Sequence, residues 1–392
     1  MTHRQRILAA IRGEVPDRLP WVPRLEFWYR ARLRHGTLPL ELHSLTLTEI
    51  AERLGVGCYD SIPDFTRITG ETDMIDRTLG LHNLSVLPYR ITLEEVDRRV
   101  TRRGLETVVE YHTPAGSIRT ASVFTEEMLD AGASAAWITE HAIREPQDFE
   151  VVGHIFSHLK VTPHFDGCLA RRTEVGEQGL AVGFLQGAAS PIQLIMKELM
   201  ALEEFFYAFH DYPEKVLRLA QQIEPYFQQI QAIGAESPAD VLLLGANYDD
   251  SITHPAFFEK HILPSLRSYA RTLHQRNKFL MTHTDGENQR LFPLYRQAGF
   301  DIADSVCPYP MTRCTLEETR ANFGKQVTIW GGIPSTLLCL SSTPEDEFRR
   351  SIDETVERYA RESHFVLGVS DMVTADCEWD RLQYITDRIA TT

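Results

Sequence analysis

The sequence is most informative first in what it lacks. None of its 392 residues fall in a run of about 18 consecutive apolar positions, so no membrane-spanning helix is expected. The opening "MTHRQRILAAIRGEVPDRLP" has no apolar signal-peptide core and no small-residue cleavage site. Six cysteines (Cys58, Cys168, Cys307, Cys314, Cys339 and Cys377) include no Cys-x-x-Cys pair. In so long a chain that argues against a disulfide framework, and a reducing cytoplasmic setting is expected. No basic block or stripe occurs, and 55 acidic against 40 basic residues give a formal charge of −15. Nucleic acid is therefore not the expected partner. Fixed-period repeats, low-complexity tracts and an early Gly-rich phosphate loop are also missing.

What remains is an ordinary globular composition, 43% hydrophobic and 24% charged. Eight β-prone runs recur along it: "LPWVPR" (19–24), "VGCYDSI" (56–62), "GLAVGFLQG" (179–187), "DVLLLGAN" (240–247), "KFLMTHTDG" (278–286), "FDIADSVCP" (300–308), "QVTIWGGIP" (326–334) and "HFVLGVSD" (364–371). Segments with helical spacing separate the later runs, one of them broken at Tyr212-Pro213. Ser190 and Thr343 precede prolines as N-cap candidates. Alternation of this kind predicts an α/β fold, a (β/α)8 TIM barrel, as one domain over residues 1–392. A doubly wound open sheet is the alternative, and it lacks its phosphate loop. Residues 63–178 read as an insertion between strands two and three, covering part of the barrel mouth. Within it, β-prone arms flank Pro114-Ala115-Gly116 as a hairpin.

In such a barrel the active site lies at the C-terminal strand ends. Those ends carry Arg24 and Glu26; Asp60; Gln186; Asn247, Tyr248, Asp249 and Asp250; His283 and Asp285; Cys307; Gly331-Gly332; and Ser370-Asp371. Alternation along a strand puts Met281, His283 and Asp285 on one face, and Leu367, Val369 and Asp371 on another. A histidine with two carboxylates suits a divalent metal, to which Cys307 could add a soft ligand. Without metal, His283 is a general acid or base oriented by Asp285 or Asp371. A polar turn bonded to itself is the third reading. Arg24 suits a substrate carboxylate, or an internal pair with Glu26. Asn247, Tyr248 and Asp249 suit substrate contacts, although such a turn also caps helices. The paired glycines suit either an anion or close packing.

Several stretches together resemble the uroporphyrinogen decarboxylase superfamily over nearly the whole chain. They are "RILAAIRGEVPDRLPW", "EYHTPAGSIRT", "HPAFFEKHILPSLRSYARTLHQRNKFLMTHTDGE", "VTIWGGIPSTLL" and "FVLGVSD". The resemblance implies a (β/α)8 barrel and one of two activities. Decarboxylases of the family hold a polyanionic substrate with an Arg-rich opening. Here "WVPRLEFW" keeps Arg24 but follows it with Leu25, Glu26, Phe27 and Trp28, losing the second Arg and adding Glu26. Methyltransferases of the family pair with a corrinoid protein, and their zinc members use His-x-Cys and a late Cys. His283 matches that His, Asp285 stands at the first Cys, Asp371 lies near the late Cys, and Cys377 falls six residues beyond it.

These readings set a leading expectation. It is a methyltransferase moving a methyl group between a small substrate and a corrinoid protein, with His283, Asp285 and Asp371 as catalytic residues. Zinc or another divalent metal would be held by those three with Cys307. Arg24, Glu26, Trp28, Gln186, Asn247, Tyr248 and Asp249 would contact substrate, and Trp28 would help close the mouth. The alternatives are a metal-free decarboxylase or lyase and a non-catalytic ligand-binding barrel. A homodimer is expected by family analogy.

Overall fold

A computed structural model describes residues 1–60, 74–133, 135–245 and 247–392. Six of the expected strands form one parallel ladder in the order Gly183–Gln186, Val241–Leu244, Phe279–His283, Ile302–Val306, Thr328–Ile333 and Phe365–Val369. Three hydrogen bonds continue it past the last strand. Val22 N–H donates to Leu367 O (2.9 Å), Leu367 N–H to Pro20 O (2.9 Å) and Gly57 N–H to Trp21 O (2.8 Å). Cys58–Asp60 then pairs in parallel with Gly179–Ala181, which runs through Val182 into Gly183–Gln186. The eight strands thus close a circle, the expected barrel. Ile302–Val306, Thr328–Ile333 and Phe365–Val369 are buried at every position, as strands between a lumen and a helical ring must be.

The helical ring follows its local signals. The break at Tyr212-Pro213 separates Leu202–Asp211 from Pro213–Glu236, and Ser190 caps its helix by accepting from Gln193 N–H, with Pro191 at the first position. Thr343 departs from expectation. The helix Glu345–Tyr359, between the seventh and eighth strands, is capped one residue later, at Pro344, and the Thr343 hydroxyl donates to Thr336 O instead (3.0 Å). Among the described residues no helix is long and apolar enough to cross a membrane.

Between the second and third strands the chain builds antiparallel structure. Glu106–Thr113 and Gly116–Val123 form the expected hairpin across Pro114-Ala115, with Asp97–Arg103 and Trp137–Glu140 on its two edges. Positions 63–73 of the expected insertion lie outside the described residues. The short helix Glu126–Asp130 is tied to Glu26–His35, the helix that leaves the C-terminal end of the first strand. Arg34 pairs with Asp130 and Glu126, and Arg30 donates to Gly132 O (2.8 Å).

The paired glycines serve packing. A Cβ on Gly331 would stand 2.6 Å from Val306 O and 2.7 Å from Val306 N, and Gly331 has φ +135°. The sixth and seventh strand backbones approach there more closely than any side chain allows. Gly331→Ala should therefore destabilise the protein by about 2–4 kcal/mol, through strain and steric overlap together. Urea unfolding checks this, and a midpoint unchanged from wild type would refute it.

Candidate active site

The centre of the barrel mouth is built from the fifth strand. Thr282 points outward and bonds to the Tyr248 hydroxyl (2.6 Å) and Leu244 O (2.7 Å). Period-two alternation then turns Met281 and His283 into the lumen. Met281 Sδ meets the Tyr59 hydroxyl at 3.1 Å. His283 Nδ1 lies 2.8 Å from Asp304 Oδ2, and its Nε2 lies 3.6 Å from Asp371 Oδ1. Asp304 is buried, whereas the Asp371 side chain is 43% exposed, so Nε2 is the ring nitrogen that looks toward the opening.

Asp304 reaches His283 through a break in strand regularity. Pairing between the sixth and seventh strands jumps from Ala303↔Ile329 to Val306↔Gly331, and Ser305 sits at φ +58°. Such bulges re-aim side chains beside active sites, and a non-glycine residue in that region is strained. Here the bulge brings Asp304 and Ser305 to the same centre. Ser305 Oγ donates to Asp304 Oδ2 (3.2 Å) and accepts from the Arg24 guanidinium (3.3 Å). Arg24 also reaches Asp371 Oδ1 at 3.2 Å and Asp304 Oδ2 at 3.9 Å, with its guanidinium over the Tyr59 ring.

This cluster sets the proton affinities. Burial alone would lower the His283 pKa. The Asp304 hydrogen bond and charge, with Asp371, outweigh burial and the Arg24 repulsion, and the pKa is raised. Burial would raise Asp304, but the His283 hydrogen bond and the His283 and Arg24 charges hold it below the usual carboxylate range. The two directions agree: each partner favours the charged form of the other. Asp285 goes the other way, raised by burial and by the Asp371 carboxylate. Burial pushes the Cys307 thiol up to about 11, so it is a neutral thiol near pH 7.

Of the sequence candidates, His283, Asp371 and Arg24 come together, with Asp285 half-buried at the edge where the Asp371 charge raises its pKa. Others lie elsewhere. Trp28 does not close the mouth: it is fully buried, stacks on Trp379 at 5.5 Å and donates Nε1–H to Cys377 O. Tyr248 is fully buried, with its hydroxyl spent on Thr282. Gln186 is likewise consumed, donating to Gly80 O and the Tyr226 hydroxyl and accepting from Gly187 N–H. Asp249 caps its own turn through Ser251 and receives Glu287 N–H. Asn247 is exposed at φ +45°, its N–H donating to His283 O. Glu26 opens the helix Glu26–His35, and Arg24 turns to Asp371 and Asp304. Asp304, Ser305 and Tyr59 are the residues that strand-end reading passes over. The available signal was a charged residue inside an apolar strand, "DIADSV".

A family model described as uroporphyrinogen decarboxylase (URO-D) matches residues 128–391. The chain belongs to the URO-D family. No curated protein matches it. A solved methyltransferase from Methanosarcina mazei superposes over 100% of this chain and 99% of its own, with TM-score 0.54 and 13% identity, which shows the shared fold. A B12-independent methionine synthase from Shewanella aligns over 76% of this chain and 74% of its own, with TM-score 0.33 and 11% identity.

The residues expected to hold a metal at His283 do not gather their donor atoms in this URO-D member. Among the described residues, the groups whose donor atoms lie within 4.8 Å of one another are Glu95–His154–His158 and Cys339–Asp376–Cys377. The expected set of His283, Asp285, Asp371 and Cys307 is not one of them. Arg24 stands 3.2 Å from Asp371, where it already supplies the positive charge an ion would bring.

Proton linkage gives a test. A raised His283 pKa contributes stability that is full below the unfolded value of about 6.5 and is lost as pH rises through the folded value. Asp304→Asn should lower the His283 pKa and flatten that dependence. Histidine NMR titration checks it; an imidazole titrating as in wild type would show that Asp304 does not set the proton.

Proposed function

We propose that this URO-D member removes a methyl group from the oxygen or nitrogen of a small molecule, with His283 as proton donor to the leaving atom. A corrinoid carried by a partner protein would supply the nucleophile that accepts the methyl group. The observation that carries the reading is the buried His283–Asp304 pair, whose Nε2 faces the half-exposed Asp371. As the bond from methyl carbon to the heteroatom breaks, its electron pair stays on the heteroatom, and Nε2–H delivers the proton there. The product is the demethylated alcohol, phenol or amine, and His283 is left neutral. Asp304 keeps Nδ1 protonated and the ring oriented. Asp371 lies within reach of Nε2 and of solvent, a route for returning the proton.

Charge balance supports an ether or amine over an acid. Two cations, Arg24 and the His283 imidazolium, face the carboxylates of Asp304 and Asp371. Arg24 is committed to these partners and to Ser305, so among the described residues the centre holds no spare cation for a substrate carboxylate. A decarboxylase would need one. The hairpin sheet, anchored through Glu126–Asp130 on the helix after the first strand, would wall one side of the mouth.

The test is a panel of O- and N-methylated small molecules incubated with the protein and a reduced corrinoid protein. Formation of demethylated product is expected. His283→Gln should lower turnover by roughly 100- to 10,000-fold, the range of general acid catalysis. Activity should fall as pH rises through the raised His283 pKa, and Asp304→Asn should move that fall to lower pH. Carbon dioxide release from an acidic substrate, without methyl transfer, would replace the proposal by the decarboxylase reading. Metal content equal in wild type and His283→Ala is expected, and loss of a bound metal in that variant would contradict the metal-free centre.

A further inference from the structure

The loops after the seventh and eighth strands hold a second group of reactive side chains that the chemistry above does not use. Cys339 follows the turn Ser335–Leu338, and Thr374, Asp376 and Cys377 lie between the eighth strand and the last helix, Trp379–Ala390. The two sulfurs stand 3.6 Å apart, and both face Ser335 O, at 3.6 and 3.9 Å. The Thr374 hydroxyl sits among them, 2.7 Å from Asp376 Oδ1, 3.3 Å from Cys377 Sγ and 3.7 Å from Cys339 Sγ. One ligand atom from each of Cys339, Asp376 and Cys377 lies within 4.8 Å of the others.

We propose that Cys339, Cys377 and Asp376 bind a zinc ion that clamps the seventh loop to the eighth, apart from the His283 centre. The sulfur spacing supports this ion. Zinc–sulfur bonds of about 2.3 Å at a tetrahedral angle put two thiolates roughly 3.8 Å apart, close to the spacing here. A disulfide would need the sulfurs at about 2.05 Å. Two thiolates and one carboxylate give a soft, anionic donor set that selects zinc over magnesium or calcium. The fourth position falls to the Thr374 hydroxyl, the Ser335 carbonyl or water.

The cradle is already held in place. Cys377 O accepts from Trp28 Nε1 (3.0 Å) and from the Arg32 guanidinium (2.9 Å), which also donates to Ala375 O (2.8 Å). Glu378 N–H donates to Leu338 O (3.0 Å), joining the two loops beside the sulfurs. Both cysteines are buried, whereas Asp376 is exposed, so the ion would enter from the Asp376 side. Fixing these loops would also fix Asp371, which lies between the eighth strand and Thr374.

The test uses the full chain stripped of metal and titrated with zinc or cobalt(II). One equivalent should bind, with the sulfur-to-cobalt charge-transfer band and the intense visible bands of a tetrahedral site. X-ray absorption of the zinc-loaded wild type should count two sulfur neighbours, a readout that needs no variant to fold. Cys339→Ser and Cys377→Ser should each weaken binding by roughly tenfold or more, while His283→Ala leaves the cobalt spectrum unchanged. Zinc should raise the melting temperature of wild type and not of the cysteine variants. A shell with fewer than two sulfurs, a spectrum unchanged by the cysteine substitutions, no binding at one equivalent, or a Cys339–Cys377 disulfide in the protein as isolated would each overturn the proposal.

Discussion

The mouth of this barrel depends on one constraint: three ionisable side chains, Arg24, His283 and Asp304, meet where little water reaches them, with the half-exposed Asp371 at their edge. Burying a charge is tolerable only beside its opposite, hydrogen-bonded in good geometry. Arg24, His283 and Asp304 are all buried, and each contacts an opposite charge. Removing one carboxylate would leave a cation without compensation. The His283 proton is therefore as much part of the fold as of the chemistry, since an imidazole made neutral would leave Asp304 with Arg24 at 3.9 Å as its nearest positive charge.

Backbone irregularity makes the pairing possible. A regular sixth strand could not turn both Asp304 and Ser305 to the same centre, because successive side chains alternate faces. The bulge at Ser305 breaks alternation, and it needs room on the neighbouring strand. Gly331 provides that room by carrying no Cβ where Val306 passes. Ser305 strain, Gly331 and the two hydrogen bonds of the Ser305 hydroxyl are parts of one device. The strain is stored beside the reacting group, as at other functional sites.

The barrel was legible because its signals are local. Each apolar run ended in turn residues, and the order of strands and helices leaves few topologies open. His283, Arg24 and Asp371 were legible because they stand at strand ends. Tyr248 and Gln186 show where that rule stops. A polar strand-end residue can equally satisfy a neighbouring backbone, as Gln186 does at Gly80 O, and sequence carries no sign of which partner waits. Trp28 misled for a related reason: an aromatic near a mouth is indistinguishable in sequence from one packed behind it, on Trp379. Asp304 was missed because its side-chain direction depends on the bulge, a tertiary event that periodicity cannot express.

The resemblance to zinc-dependent relatives gains a physical reading from the charge count. Thiolates at a histidine-centred site would add negative charge that an ion must neutralise. In this chain Asp285 stands at the first of those places and Asp371 near the second, and a guanidinium fills the neutralising role. Asp285 takes up a proton more readily than a free carboxylate because burial and Asp371 both disfavour its charge. A centre with Arg24 already in place has little to gain from a second cation, and its useful asset becomes a proton held ready on His283. The thiol pair of the chain lies instead at Cys339 and Cys377, in the loops after the last two strands and tied to Trp28. Proton chemistry at the centre and soft-metal chemistry at the edge then answer to separate charge balances, so a substitution in one need not disturb the other.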